Sequence, residues 1–94
     1  MLFLVKVRVD ISTMMEFGQK LQEGELDRSL IRGETHCLKN DPAVGFSVWE
    51  APSYTEFSAK FDPWRRYYSE VEVNELITPM EAMGALLAGM KPTA

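Results

Sequence analysis

The residue types that most often announce a chemistry are nearly missing: the chain has one cysteine and one histidine. With Cys37 alone no intrachain disulfide can form, so a reducing, cytoplasmic setting is expected, with Cys37 as a small buried residue. A single histidine leaves no set of His and Cys ligands. No metal centre is expected, and Met14, Met15, Met80, Met83 and Met90 read as helix-packing residues. Basic charge is also short, 10 Lys plus Arg against 14 Asp plus Glu for a net charge of -4. Nucleic acid binding needs clustered cations that release counterions, so no nucleic acid partner is expected. Arg65-Arg66 is the sole basic doublet, and with Glu70 and Glu72 following it reads as a solvated corner. Long apolar runs are absent as well. Met1 to Val5 is interrupted at Lys6, too early for a signal-peptide core and too short for a membrane span. No Gly-rich phosphate loop, Ser-His-Asp order or paired-cysteine motif occurs, which leaves no support for a nucleotide or other cofactor or for serine-type catalysis.

What is present is the composition of a folded domain, 94 residues with 46% hydrophobic and 26% charged residues. One domain over residues 1–94 is expected. A domain of that size buries only about 60 to 65% of the surface its unfolded chain exposes, so stability without a partner is marginal.

Two periodicities alternate along the chain. Residues 2–10, LFLVKVRVD, alternate as a strand, with Phe3, Val5, Val7 and Val9 opposed to Leu4, Lys6 and Arg8. Thr13 and Glu16 have capping-box spacing ahead of Met14, Phe17 and Leu21, which predicts a helix ending near Gly24. Residues 30–39 read as a second strand, Asn40-Asp41-Pro42 as a turn and VGFSVWEA as a third strand. The pattern of the third strand places Val44, Phe46 and Val48 on one side and Gly45, Ser47 and Trp49 on the other. Ser53 and Glu56 predict a second helix, SEVEVNELI a fourth strand, and Thr78, Pro79 and Glu81 a C-terminal helix.

The order strand, helix, strand, strand, helix, strand predicts a ferredoxin-like α+β fold, βαββαβ, with an extra C-terminal helix. Such a sheet leaves one face uncovered. Strand parity assigns to it Leu4, Lys6, Arg8, Gly45, Ser47, Trp49, Glu70, Glu72, Asn74 and Leu76, with Arg32, Glu34 and His36 from the second strand. Covering Leu4 and Trp49 by a second copy predicts a homodimer, with a partly apolar cavity between the two sheets. There His36, whose ordinary pKa suits proton transfer near neutrality, and Glu72 are the candidate acid–base pair. Lys6 and Arg8 would hold an anionic substrate, and Trp49 and Glu34 complete the candidate binding set. A one-residue slip in the second strand would turn His36 towards the helices.

The segments MLFLVKV, FSVWEAPSYTEF and VEVNELITPMEA together resemble muconolactone isomerase and its small relatives over most of the chain, although Leu4 stands where that family's pattern has a histidine. WRRYYSEVEVNELITPMEA, GETHCL and VGFSVWEA resemble more closely a group of uncharacterised small bacterial proteins of the same superfamily, which brings no established activity. The resemblance implies a dimeric α+β barrel, in which two ferredoxin-like sheets face one another. It further implies cofactor-independent proton-transfer chemistry on a small anionic or cyclic metabolite, with a cofactor-free monooxygenase as a variant. The alternative is a non-catalytic dimeric module that binds a small molecule or a protein.

Overall fold

The computed structural model describes the backbone of residues 1–90 and the side chains of residues 1–89. The alternating N-terminal run forms β1 (Leu2–Val9), followed by a 3₁₀ turn at Ile11–Thr13 and α1 (Met14–Gln22). A hairpin of β2 (Ile31–Leu38) and β3 (Asp41–Glu50) comes next, then α2 (Tyr54–Phe61) and a 3₁₀ segment at Asp62–Tyr67. The last elements are β4 (Tyr68–Leu76) and α3 (Pro79–Met90). The strands form one antiparallel sheet in the order β2-β3-β1-β4. This is the ferredoxin-like α+β fold, with the C-terminal helix added. Among the described residues no helix is long and apolar enough to cross a membrane.

Local chemistry explains where the elements begin and end. Ser53 Oγ accepts from the Glu56 N–H at 3.2 Å, capping α2, and Thr78 Oγ1 accepts from the Glu81 N–H at 3.1 Å, capping α3. The expected Thr13 cap does not form. Asp10 takes that place one turn earlier, accepting from the Ser12 N–H at 3.0 Å, so the helix enters through the 3₁₀ turn. Gly24, with φ of 72°, ends α1 in the left-handed conformation that a side chain disfavours.

The core lies between the sheet and the helix layer. Phe3, Val5 and Trp49 from the sheet meet Phe57 and Phe61 of α2, with Trp64 and Tyr67 from the 3₁₀ segment. Trp49 stands edge-on to Phe57, Phe61 and Trp64 with ring centroids 5.3 to 5.6 Å apart, while Phe3 stacks on Phe57 at 4.6 Å. Such pairs add about 0.5 to 1.5 kcal/mol each beyond the area they bury.

The pairing register reverses the expected facing of β3. Phe3 lies opposite Trp49, Val5 opposite Ser47 and Val7 opposite Gly45. Directly opposed residues of an antiparallel pair share a face, so Gly45, Ser47 and Trp49 turn towards the helices. Val44, Phe46 and Val48 share the open face with Arg8, Lys6 and Leu4. Both rows of β3 are apolar enough to be buried. The decision falls to the indole, which gains a cage of aromatic rings on the helix side.

Two smaller expectations are also corrected. Cys37 is exposed, because β2 is an edge strand that α1 does not cover. Met14, Met15, Met80 and Met83 lie on the surface rather than between helices, since Phe17, Leu21 and the α2 aromatics fill that space. The Met90 side chain lies outside the described residues.

Candidate functional site

The reversal of β3 moves the strongest candidate site from the open face to the helix side. Beyond Trp49 and its partner Ile31, the helix-facing positions that the register fixes on β2 and β3 are Cys37, Gly45 and Ser47, and with Thr35, which also borders this side, they are all small. Nothing fills the space above them, and a cleft of about 210 Å³ opens between the sheet and α1. Its walls are Val7 and Val9 of β1, Phe17 and Leu21 of α1, Ile31 of β2, and the rings of Trp49, Trp64 and Tyr68.

Polar groups are few and each has a definite state. Ser47 Oγ accepts from Trp49 Nε1 at 2.8 Å, so its own O–H remains free to donate. Burial, with a smaller contribution from Cys37, pushes the Tyr68 hydroxyl above its ordinary pKa, so the phenol stays protonated at neutral pH. Trp64 Nε1 is buried with no hydrogen-bond partner among the described residues. Arg28 enters from the α1–β2 loop, is exposed, and makes no ion pair among the described residues. The cleft is therefore an apolar slot with one cation at its margin.

The residues expected from the sequence are split by this geometry. Trp49 lines the helix-side cleft and is 1% exposed, so it does not belong to the open face. His36, opposite Phe46, keeps its side chain on the open face, as expected, while its backbone carbonyl borders the cleft near Gly45. Glu72 lies opposite Lys6. His36, Phe46, Lys6 and Glu72 thus form one row across the sheet. Its ends stand on opposite edge strands, about 14 Å apart at three inter-strand spacings. They cannot act as an acid–base pair within one chain. Glu34 falls where β2 and β3 lose register, between Arg32 and His36, beside Gly33 with φ of 70°.

The two cations of β1 also differ. Arg8 donates to both carboxylate oxygens of Asp41, at 2.9 and 3.3 Å, and lies 3.5 Å from Glu70. These partners raise its pKa, the Asp41 hydrogen bonds most. Lys6 forms no ion pair with Glu72, and both line a shallow polar groove of about 190 Å³ on the open face. Among the described residues no three His, Cys, Asp or Glu side chains converge as a metal site would need.

Sequence reasoning missed Arg28 and the position of the cleft; the cluster Trp64, Tyr67, Tyr68 before the fourth strand reads from the sequence either as a cavity mouth or as a cap on the helix layer, and Trp64 and Tyr68 line the cleft. The available signal was the run of small residues at alternate positions of β2 and β3, legible only with the strand register in hand.

Comparison with known proteins agrees on the fold. No protein-family model matches the sequence, and no curated protein matches it. Solved structures do match. A 5-chloro-2-hydroxyhydroquinone dehydrochlorinase from Burkholderia phenoliruptrix, in complex with 2,5-dihydroxybenzoquinone, is 14% identical with a TM-score of 0.56, covering 86% of this chain and 98% of its own. An antibiotic biosynthesis monooxygenase is 12% identical with a TM-score of 0.48, covering 83% of this chain and 100% of its own. A Nitrosomonas europaea protein assigned to the same activity is 12% identical with a TM-score of 0.47, covering 82% and 98%. At these identities the likeness concerns the fold.

Proposed function

We propose that this chain binds a single-ring organic molecule bearing an acidic oxygen, a carboxylate or phenol, in the cleft between the sheet and α1. The observation that carries the reading is the cleft's size and lining. Its volume of about 210 Å³ exceeds the roughly 150 Å³ that suffices for benzene. It falls short of the roughly 300 Å³ at which pockets for drug-sized molecules begin. The rings of Trp49, Trp64 and Tyr68 supply flat apolar contact, the Tyr68 and Ser47 hydroxyls supply donors, and Arg28 supplies a charge that favours an anionic oxygen at the mouth. The dehydrochlorinase of the same fold is described with a single-ring dihydroxyquinone, a ligand of the size this cleft admits.

Both tryptophans line the cleft, so intrinsic fluorescence reports its occupancy. Titration with benzoate or hydroquinone should change the emission. Arg28→Met should weaken benzoate by about 10- to 100-fold, the range for one charge-assisted hydrogen bond, and hydroquinone far less. Equal benzoate affinity in wild type and Arg28→Met would sink the assignment.

A second reading keeps the open face in play, supported by the row His36, Phe46, Lys6, Glu72 and the uncommitted Lys6. In a sheet-to-sheet homodimer, His36 of one copy could approach Glu72 of the other and move a proton, without a cofactor, on an anionic or cyclic substrate held by Lys6. This is the isomerase-like chemistry that the sequence resemblance implies, and the monooxygenase variant would use the same enclosure. Lys6→Met abolishing the ligand response while Arg28→Met preserves it would favour this reading over the first.

A further inference from the structure

Helix α3 stands off the body of the molecule. Of its described residues all but Ala82 are exposed, and none belongs to the core. Its 12 residues, PMEAMGALLAGM, contain one charged side chain, Glu81. Met80 is 82% exposed and Leu86 67%, with Met83 and Leu87 also more than half exposed. A helix apolar around its circumference belongs inside a core or a membrane. At about 1.5 Å per residue α3 is roughly 18 Å long, too short for a hydrocarbon core of about 30 Å. Nor does it carry the Lys- and Arg-rich polar face that holds a helix in a lipid interface.

The dimensions give the same answer. The radius of gyration is 16.5 Å and the longest dimension 58 Å, where a compact chain of this length has a radius near 12.4 Å. The accessible surface is 6920 Å², against about 5,500 Å² for a compact protein of this mass. The excess of about 1,400 Å² per chain is the scale on which stable protein interfaces are built.

The exposed apolar residues also follow one another along the chain at this end of the molecule. Leu2 and Leu76 are opposite one another at the rim of the open sheet face, next to the row that holds Leu4 and Val48. From Leu76 the band runs through Ile77 into Met80, Met83, Leu86 and Leu87. A soluble monomer seldom exposes a patch of this extent.

We infer that α3 is an exchanged arm, which packs against the apolar rim of a second copy of this chain while the second copy's α3 packs against the first. A two-fold arrangement buries the arm and the rim together, each chain supplying both halves of the contact. The inference rests on the homodimer of the second reading above and adds the element that holds it; the cleft is not involved.

The test uses the full-length chain in sedimentation velocity from about 1 to 100 µM, a range that spans weak and strong dimers. Wild type should sediment as a dimer. Leu86→Glu with Leu87→Glu should weaken that dimer at least about 100-fold, because each lost contact occurs twice. Met15→Glu changes a side chain that is 87% exposed on α1, away from the arm, and should leave the dimer unchanged. Circular dichroism checks folding, and Met80→Lys with Met83→Lys repeats the test if the leucine variant fails to fold. A dimer untouched by both arm variants overturns the arm and leaves a sheet-to-sheet dimer standing. A wild-type monomer at the highest concentration overturns both.

Discussion

Replacing Trp49 tests the feature on which the placement of the site depends, the facing of β3. Trp49 is 1% exposed, meets three aromatic rings edge-on and donates its Nε1–H to Ser47. Truncating a buried aromatic to alanine costs about 3 to 5 kcal/mol, the lost transfer energy plus the cavity left behind. A domain of 94 residues has roughly 5 to 14 kcal/mol in total. Trp49→Ala should therefore remove about a fifth of the stability or more. With a slope of about 1 to 2 kcal/mol per M for so small a domain, the urea midpoint falls by about 1.5 to 5 M. Trp49→Phe should recover more than half of the loss, since an edge-on ring remains. Leu4→Ala, on the open face, should cost under about 1 kcal/mol at protein concentrations too low for association. A loss below about 1 kcal/mol for Trp49→Ala, or a larger loss for Leu4→Ala, would refute the register and with it the helix-side cleft.

Four further outcomes follow from particular contacts. Gly45→Ala places its methyl 3.6 to 3.7 Å from Cys37 Sγ, the His36 carbonyl and Val7, ordinary contact distances. Urea denaturation should show stability kept or raised by up to about 0.5 kcal/mol, while fluorescence titration shows weaker ligand binding in the cleft. Ser53→Ala removes the cap of α2 and should cost about 1 kcal/mol, a fall of about 4 to 8 °C in Tm by calorimetry. Gly24→Ala forces a side chain into φ of 72° and should cost about 1 to 2 kcal/mol by urea denaturation. Asp27 accepts from Lys60 at 2.6 Å and from the Ser29 N–H, which hold its carboxyl below the ordinary range, the Lys60 bond most. A depressed folded-state pKa contributes stability that is full above the unfolded value, about 3.9, and lost as pH falls through the folded value. Asp27→Asn should thus be less stable than wild type at neutral pH by thermal denaturation, and the gap should shrink below about pH 4. A gap independent of pH would show that the charge is not responsible.

Much of the fold is legible in the residues because the signals that define it are local. The alternation of β1 and β4 appears as read, and the boxes at Ser53 with Glu56 and Thr78 with Glu81 cap the helices they announce. The Thr13 box fails because Asp10, three residues earlier, satisfies the same helix entrance first. The candidate site was harder to read. A cleft is made of what is small or missing at Thr35, Cys37, Gly45 and Ser47, and those positions become neighbours only when β2 and β3 pair. Arg28 joins them from a loop with no periodicity to announce it.

By itself the sequence determined the element order, the two caps, the antiparallel ferredoxin-like sheet and the open-face position of Glu72, while the facing of His36 waited on the pairing of β2 with β3. Each feature so determined depends on periodicity and short-range hydrogen bonding, which operate within a few residues. Tertiary structure alone decided which row of β3 faces the helices, that His36 and Glu72 stand at opposite edges, and that α3 leaves the body. Those outcomes depend on competition between distant surfaces for burial. Trp49 won a place among Phe57, Phe61 and Trp64, and α3, with the same helical periodicity wherever it lies, found no such place on its own chain.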